Sequence, residues 1–229
     1  MSTVSQHQHA ISQPIGKVRN KTSQTKTLQL ERHKKFKGSI LTGSGIVIDM
    51  FAAFQLYGQA HLFTLFFLTG VTLLLIRLFQ HKPEAPGAKI ATSLLAYLCF
   101  ASYFINQTIS ASLSDPIAFH HNMLPFHLCD LAAFICGFAL LTRKPILCEL
   151  AYFWGLAGTL QGVLTPDLSH DFPSPAYLSF FLQHGVIVVT AIVLPFGLGW
   201  KQRSGAARRT YACLLAYAIT MFPINLLLK

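Results

Sequence analysis

The chain has 229 residues, of which 52% are hydrophobic and 11% charged, and its mean hydropathy is +0.48. A soluble domain carries about 25% charged residues, so the composition excludes an ordinary soluble fold and points to an all-α polytopic membrane protein. The net charge of +10 comes from 18 Lys and Arg against eight acids. It is concentrated in the tail and in particular loops, which reads as membrane topology and contact with membrane lipids rather than nucleic-acid binding.

Residues 1–38 are polar and basic, rich in Gln, Ser, Thr and Lys, and end in Arg32-His33-Lys34-Lys35-Phe36-Lys37. Lacking an apolar period, they are expected to form a disordered basic N-terminal tail, ahead of an integral membrane helical domain over 39–229. Six strong transmembrane helices are expected, at Gln59–Phe79, Ala88–Ile109, Met123–Leu141, Ile146–Thr165, Tyr177–Leu198 and Thr210–Leu228. Each holds about 19–22 residues, enough to cross about 30 Å of hydrocarbon. Ser39–Tyr57 is a weaker seventh candidate, interrupted by Asp49. Pro83, Pro86, Pro116, Pro145, Pro166, Pro173 and Pro175 fall in the connections, where helix breakers belong.

Arg77, Lys82 and Lys89 surround the first connection, Arg143 and Lys144 fill the third, and Lys201, Arg203, Arg208 and Arg209 fill the fifth. The second and fourth have no Lys or Arg. Basic loops stay cytoplasmic, so connections two and four are expected to face outward from a cytoplasmic (inner) membrane. With six spans the basic tail lies outside; with Ser39–Tyr57 as a seventh it returns to the cytoplasm. A true start at Met50 is the third arrangement, and the sequence leaves all three open.

In that orientation His61, Asn106, Gln107, His127, Cys129, Asp130, Gln161 and His184 all fall in the outer half of the membrane, while the inner half has little beyond Glu149. An acid at a helix centre costs about 2.5–3.5 kcal/mol on insertion scales, so polar groups gathered at one depth mark a site. At 100° per residue His127 and Cys129 point about 200° apart. A base for Cys129 must then come from another helix, and His184 at matching depth is the candidate. Trp154, Gly158, Gln161 and Thr165 share one stripe of the fourth span, where Gly158 and Gly162 also form a GxxxG that permits close helix approach.

A thiol whose proton is shared with an imidazole is a useful nucleophile. It could attack an acyl ester, with Gln161 or Asn106 donating to the developing oxyanion. Singly, each residue has a plainer reading: intramembrane cysteines mostly pack, histidines near span ends mostly hydrogen-bond at the interface, and Asp167 in a polar loop is solvated. The five cysteines show no CxxC spacing, and no span carries two histidines at i, i+4 or i, i+7. Neither a disulfide framework nor a metal or other cofactor is expected.

Leu124–Cys129, Tyr152–Gly158 with Gln161, Leu164-Thr165-Pro166-Asp167-Leu168 and Phe180–Gly185, with His61 in Gly58–Leu65, resemble the YwaF family of bacterial integral membrane proteins over residues 50–225. Animal relatives of that family are similar membrane proteins regarded as cysteine-dependent acyltransferases acting on phospholipids, so the resemblance implies that activity here. It carries the catalytic roles to Cys129 and His184. His127, Gln161, Asn106, Asp167, Trp154 and His61 complete the expected site as substrate-binding or positioning residues. Asp130 stands where the family has a small polar residue, and the chain stops at Lys229 where the family continues into an Asn-Tyr-containing end. The competing class is a non-enzymatic transporter or small-ligand binding protein, in which His61, His127, Asp130 and His184 line a cavity for a proton or solute.

Overall fold

A computed structural model describes residues 52–81, 85–113 and 127–227. The expected tail over 1–38, residues 39–51 of the weak seventh candidate and Met123–Phe126 of the third span lie outside these residues. The described part is built from α1 (Gln59–His81), α2 (Pro86–Leu113), α3 (Leu128–Thr142), α4 (Pro145–Trp154), a π-helical turn (Gly155–Thr159), α5 (Leu160–Leu164), α6 (Pro175–Phe196) and α7 (Ala206–Leu227). Helix α4, the π turn and α5 run on without a break, so these elements make six rods.

Four rods are long and apolar enough to cross a membrane: Gln59–His81, Pro86–Ser112, Pro145–Leu164 and Pro175–Phe196. Of the six strong spans expected, these four are shown among the described residues. Helix α3 has 15 residues, which rise about 22 Å against about 30 Å of hydrocarbon. Helix α7 opens on Ala-Ala-Arg-Arg and contains Pro223, which leaves it a shorter clean apolar run. Residues 52–58 are not helical: Ala53 forms an isolated antiparallel bridge with His170, and Tyr57 has φ 58°. The weak seventh span therefore does not extend to Tyr57.

Local chemistry explains the helix boundaries. Ser174 caps α6 by accepting the Tyr177 amide at 3.2 Å, and Pro175 occupies its first turn, where a missing N–H costs nothing. Helix α3 ends on Arg143 in the left-handed region (φ 55°), and Pro145 opens α4 two residues later. So short a connection makes α3 and α4 antiparallel neighbours.

Helix α6 is the centre of the bundle. It packs against α1, α2, α3 and α4, and 72% of its most apolar stretch is buried, against 11% for α1. Phe63, Phe66, Phe67, Leu73 and Leu74 of α1 are exposed, which lipid tolerates because its tails are as apolar as leucine. Without an apolar driving force between helices, close packing must hold them together, and small residues supply it. A Cβ added to Gly155 would stand 2.8 Å from the Ala191 Cβ, and one added to Gly137 would stand 2.5 Å from Phe100. At the opposite end from the candidate site, fully buried Glu149 accepts from Arg209 at 2.7 and 3.0 Å and from Arg203 at 2.8 Å. This forked ion pair ties α4 to α7 and to the connection before it.

Candidate functional site

The polar centre of the bundle lies where α2, α3 and α6 meet. Gln183 Nε2 donates to Asp130 Oδ1 at 2.7 Å, and Gln107 Nε2 approaches Oδ2 at 3.5 Å. Asp130 and Gln183 are 3% and 1% exposed. Their sequence neighbours are Cys129 and His184, which therefore lie at similar levels of adjacent helices. In a sequence, Gln183 looks like an incidental polar residue beside a histidine. Only the helix pairing discloses its partner.

Cys129 is the second residue of α3 and is half-buried. Thr159, buried at the end of the π turn, lies within electrostatic reach of the thiol. Leu128 packs beside Gly158 in the same turn. A π turn inserts an extra residue into the helix and re-aims the side chains that follow; such turns are frequent at functional sites. Its presence here corrects the stripe expected for the fourth span. Trp154 is buried, whereas Gly158, Gln161 and Thr165 are exposed, because a constant 100° per residue does not hold across 155–159. Tyr217 of α7 lies within electrostatic reach of both Cys129 and Asp130.

His184 is held on α6 by two contacts with its own helix. Its Nδ1 donates to the Phe180 carbonyl at 2.9 Å, and its ring stacks on Phe180 with centroids 3.9 Å apart. With hydrogen on Nδ1, Nε2 carries the lone pair, the arrangement a base requires. That edge of the ring faces α5: a Cβ on Gly162 would stand 3.2 Å from Cδ2 and 3.7 Å from Nε2. His184 thus hydrogen-bonds within its own helix, to Phe180, and among the described residues it shares no hydrogen bond with Cys129. Thr159 and Gly162 are three residues apart on one rod, about one turn, so the thiol and the imidazole both approach that rod at adjacent levels.

The other expected residues divide by place. His127 is exposed just before α3, with its carbonyl accepting the amides of Asp130 and Leu131 at 3.0 and 3.2 Å. Asn106 is half-buried on α2, but its neighbour Gln107 is the residue that reaches Asp130. Gln161 and Asp167 are exposed. Gln161 lies two residues beyond Thr159, roughly 200° round the helix, away from the thiol. Trp154 is a tie between rods, its Nε1 donating to the Thr210 carbonyl at 3.3 Å. His61 is fully buried among the rings of Phe54, Tyr57 and Phe181. Its Nδ1 accepts the Tyr57 amide at 3.1 Å, and its Nε2 pairs with the Val163 carbonyl at 3.0 Å. Both bonds are satisfied only with hydrogen on Nε2, so both nitrogens are engaged in tying α1 to the end of α5.

Among the described residues no group of three or more His, Cys, Asp or Glu is placed to hold a metal ion. An uncharacterized protein from Treponema pallidum (strain Nichols) is 32% identical over 133 residues, covering 57% of this chain and 53% of that protein. The match thus spans about half the length of this relative. No solved structure matches. Residues 56–229, well over half of the chain and including every helix described, match the TMEM164 family. Together with four rods able to cross a bilayer, that match makes the chain a multi-pass membrane protein belonging to the TMEM164 family.

Proposed function

We propose that the protein is a cysteine-dependent acyltransferase or ester hydrolase acting on membrane phospholipids, with Cys129 as nucleophile and His184 as base. The site would lie in the outer half of the cytoplasmic membrane, the side indicated by the basic loops. The observation that supports this reading is the Asp130–Gln183 hydrogen bond, between the immediate sequence neighbours of the thiol and the imidazole. The YwaF-like runs Leu124–Cys129 and Phe180–Gly185 support the same pair.

In the reaction, His184 Nε2 takes the thiol proton as sulfur attacks the ester carbonyl carbon. The carbon–oxygen bond of the ester breaks, and the departing alkoxide recovers the proton from the imidazolium. The resulting thioester passes its acyl group to an incoming hydroxyl, which is transfer, or to water, which is hydrolysis. The thiol and His184 Nε2 must come within hydrogen-bond reach of each other, a tightening that apo sites commonly leave to substrate binding. His127, at the exposed start of α3, and Asn106 are suited to meet the headgroup; Gln161 and Asp167 are exposed farther along the same end of the bundle.

Labelling with a thiol-directed alkyl probe in native membranes tests the pair. Cys129→Ala abolishes labelling, and His184→Ala reduces it at least about tenfold, the low end of general-base contributions. Equal labelling of the wild type and His184→Ala overturns the dyad. The second reading, a transporter or small-ligand binding protein, is favoured by the buried Asp130–Gln183 pair. Solute uptake by proteoliposomes that survives Cys129→Ser would select it.

A further inference from the structure

The connection from α6 to α7 frames a cavity of about 270 Å³, at the end of the bundle away from Cys129 and His184. Phe153 of α4 forms one wall, and Gln202, Arg203, Ser204, Gly205 and Arg208 line much of the rest. Gln202, Arg203, Ser204 and Arg208 are exposed, so the cavity opens to the surface. Gly205 has φ 75°, a conformation that glycine adopts without steric cost. A Cβ added there would stand 3.5 Å from Arg208 Nη2 and 3.4 Å from Arg209 Nη1. Both guanidiniums therefore fold back over the same residue.

Their charges are not balanced. Arg209 is fully engaged: Nε and Nη2 donate to Glu149, and Nη1 donates to the Ser204 carbonyl at 2.9 Å. Arg203 gives Glu149 its Nε alone. Arg208 has neither an ion pair nor a side-chain hydrogen bond among the described residues. A guanidinium cannot shed its proton in a protein, so three permanent cations meet one carboxylate and a surplus of two positive charges remains. Like charges repel, and an anion seated between Arg203 and Arg208 relieves them.

The shape of the donors selects the anion. Each guanidinium offers a planar fork of N–H groups that matches phosphate oxygens. A halide cannot use a fork, and a carboxylate has two oxygens, enough for one fork. A phosphate has enough oxygens for both. The apolar wall at Phe153 suits the carbon group that a phosphate ester carries. Tyr152 and Trp200, whose ring centroids lie 5.7 Å apart, flank this connection, and such rings gather at the membrane–water boundary, the level of lipid phosphates. We propose that Arg203 and Arg208 bind, in this cavity, the phosphate group of an anionic lipid or of a soluble phosphate ester. Neither Cys129 nor His184 takes part, so the site stands apart from the reaction proposed for them.

The test is thermal unfolding of the full chain in a maltoside detergent, which brings no phosphate of its own. Phosphatidic acid, oleate and glycerol 3-phosphate are titrated separately at matched ionic strength. Phosphatidic acid or glycerol 3-phosphate raises the transition saturably; oleate, an anionic amphiphile without phosphate, leaves it unchanged. Arg208→Gln weakens the midpoint at least about tenfold, the loss expected for a charge-assisted hydrogen bond. Lys201→Gln makes the same charge change in the same connection but outside the cavity lining, and leaves the midpoint within about twofold. Should Arg208→Gln fail to fold, the contrast between oleate and the phosphates on the wild type still decides the matter. No response to either phosphate, an equal response to oleate, or equal weakening by the two substitutions overturns the proposal. A response to phosphatidic acid alone identifies a lipid phosphate as the ligand, and a response to glycerol 3-phosphate identifies a soluble ester.

Discussion

Gly162 lies against the imidazole of His184, with so little room that an added Cβ would stand 3.2 Å from the ring. The ring cannot easily yield, because Nδ1 is committed to the Phe180 carbonyl and the stack on Phe180 holds its plane. Gly162→Ala should therefore move the histidine by a few tenths of an ångström while adding a better helix former, worth up to about 1 kcal/mol. The expected outcome is about fivefold slower probe labelling at Cys129, since small misplacements of a reacting group cost rate steeply. The melting temperature should stay close to that of the wild type. Labelling at the wild-type rate would mean that the position of His184 does not govern the thiol.

His61 was expected at the site and is instead a structural tie. Replacing it by alanine orphans the Tyr57 amide and the Val163 carbonyl and empties a space between three aromatic rings. The cost should be about 3–5 kcal/mol, from lost packing and buried groups left unpaired. His61→Ala is expected to lower the detergent melting temperature sharply. Any loss of labelling should track the unfolded fraction. A variant that keeps its melting temperature but loses labelling would return His61 to the chemistry.

These residues also show where the sequence was legible. Helix positions followed from apolar runs and prolines, because the bilayer demands continuous helix and the connections tolerate breakers. The matching depth expected for Cys129 and His184 came from counting residues inward from span ends, which needs only the helical rise. Failure came where one local departure rotates everything after it. The π turn at 155–159 made a stripe of Trp154 and Gln161 look continuous when one is buried and the other exposed. Thr159 and Gln183 escaped notice for a different reason. Their roles depend on partners from α3, and pairing between helices leaves no period in a single chain.

Gly155 and Ala191 make a contact that can be tested by exchange. The Cβ of Gly155→Ala would meet the Ala191 Cβ at 2.8 Å, so the rod and α6 must separate. Such overpacking costs about 1–3 kcal/mol, more than the helix propensity gained. Ala191→Gly in the same chain removes the opposing methyl. The double variant should recover at least half of the lost stability, a coupling that a double-mutant cycle on melting curves measures directly. Simple additivity would show that the two helices do not close on each other at this level.

Thr159 offers the most direct probe of how the thiol is prepared. It is buried and lies within electrostatic reach of Cys129. Thr159→Val preserves the branched shape while removing the O–H. A hydroxyl directed at sulfur stabilises the thiolate, the form that attacks, so alkylation of Cys129 at fixed pH should slow, by about threefold to tenfold for one hydrogen bond. Thr159→Ser, which keeps the donor, should restore most of the rate. The two variants separate positioning from packing: if valine and serine slow the reaction equally, the methyl matters and the hydroxyl does not. If neither changes the rate, the π turn shapes the helix without acting on the thiol.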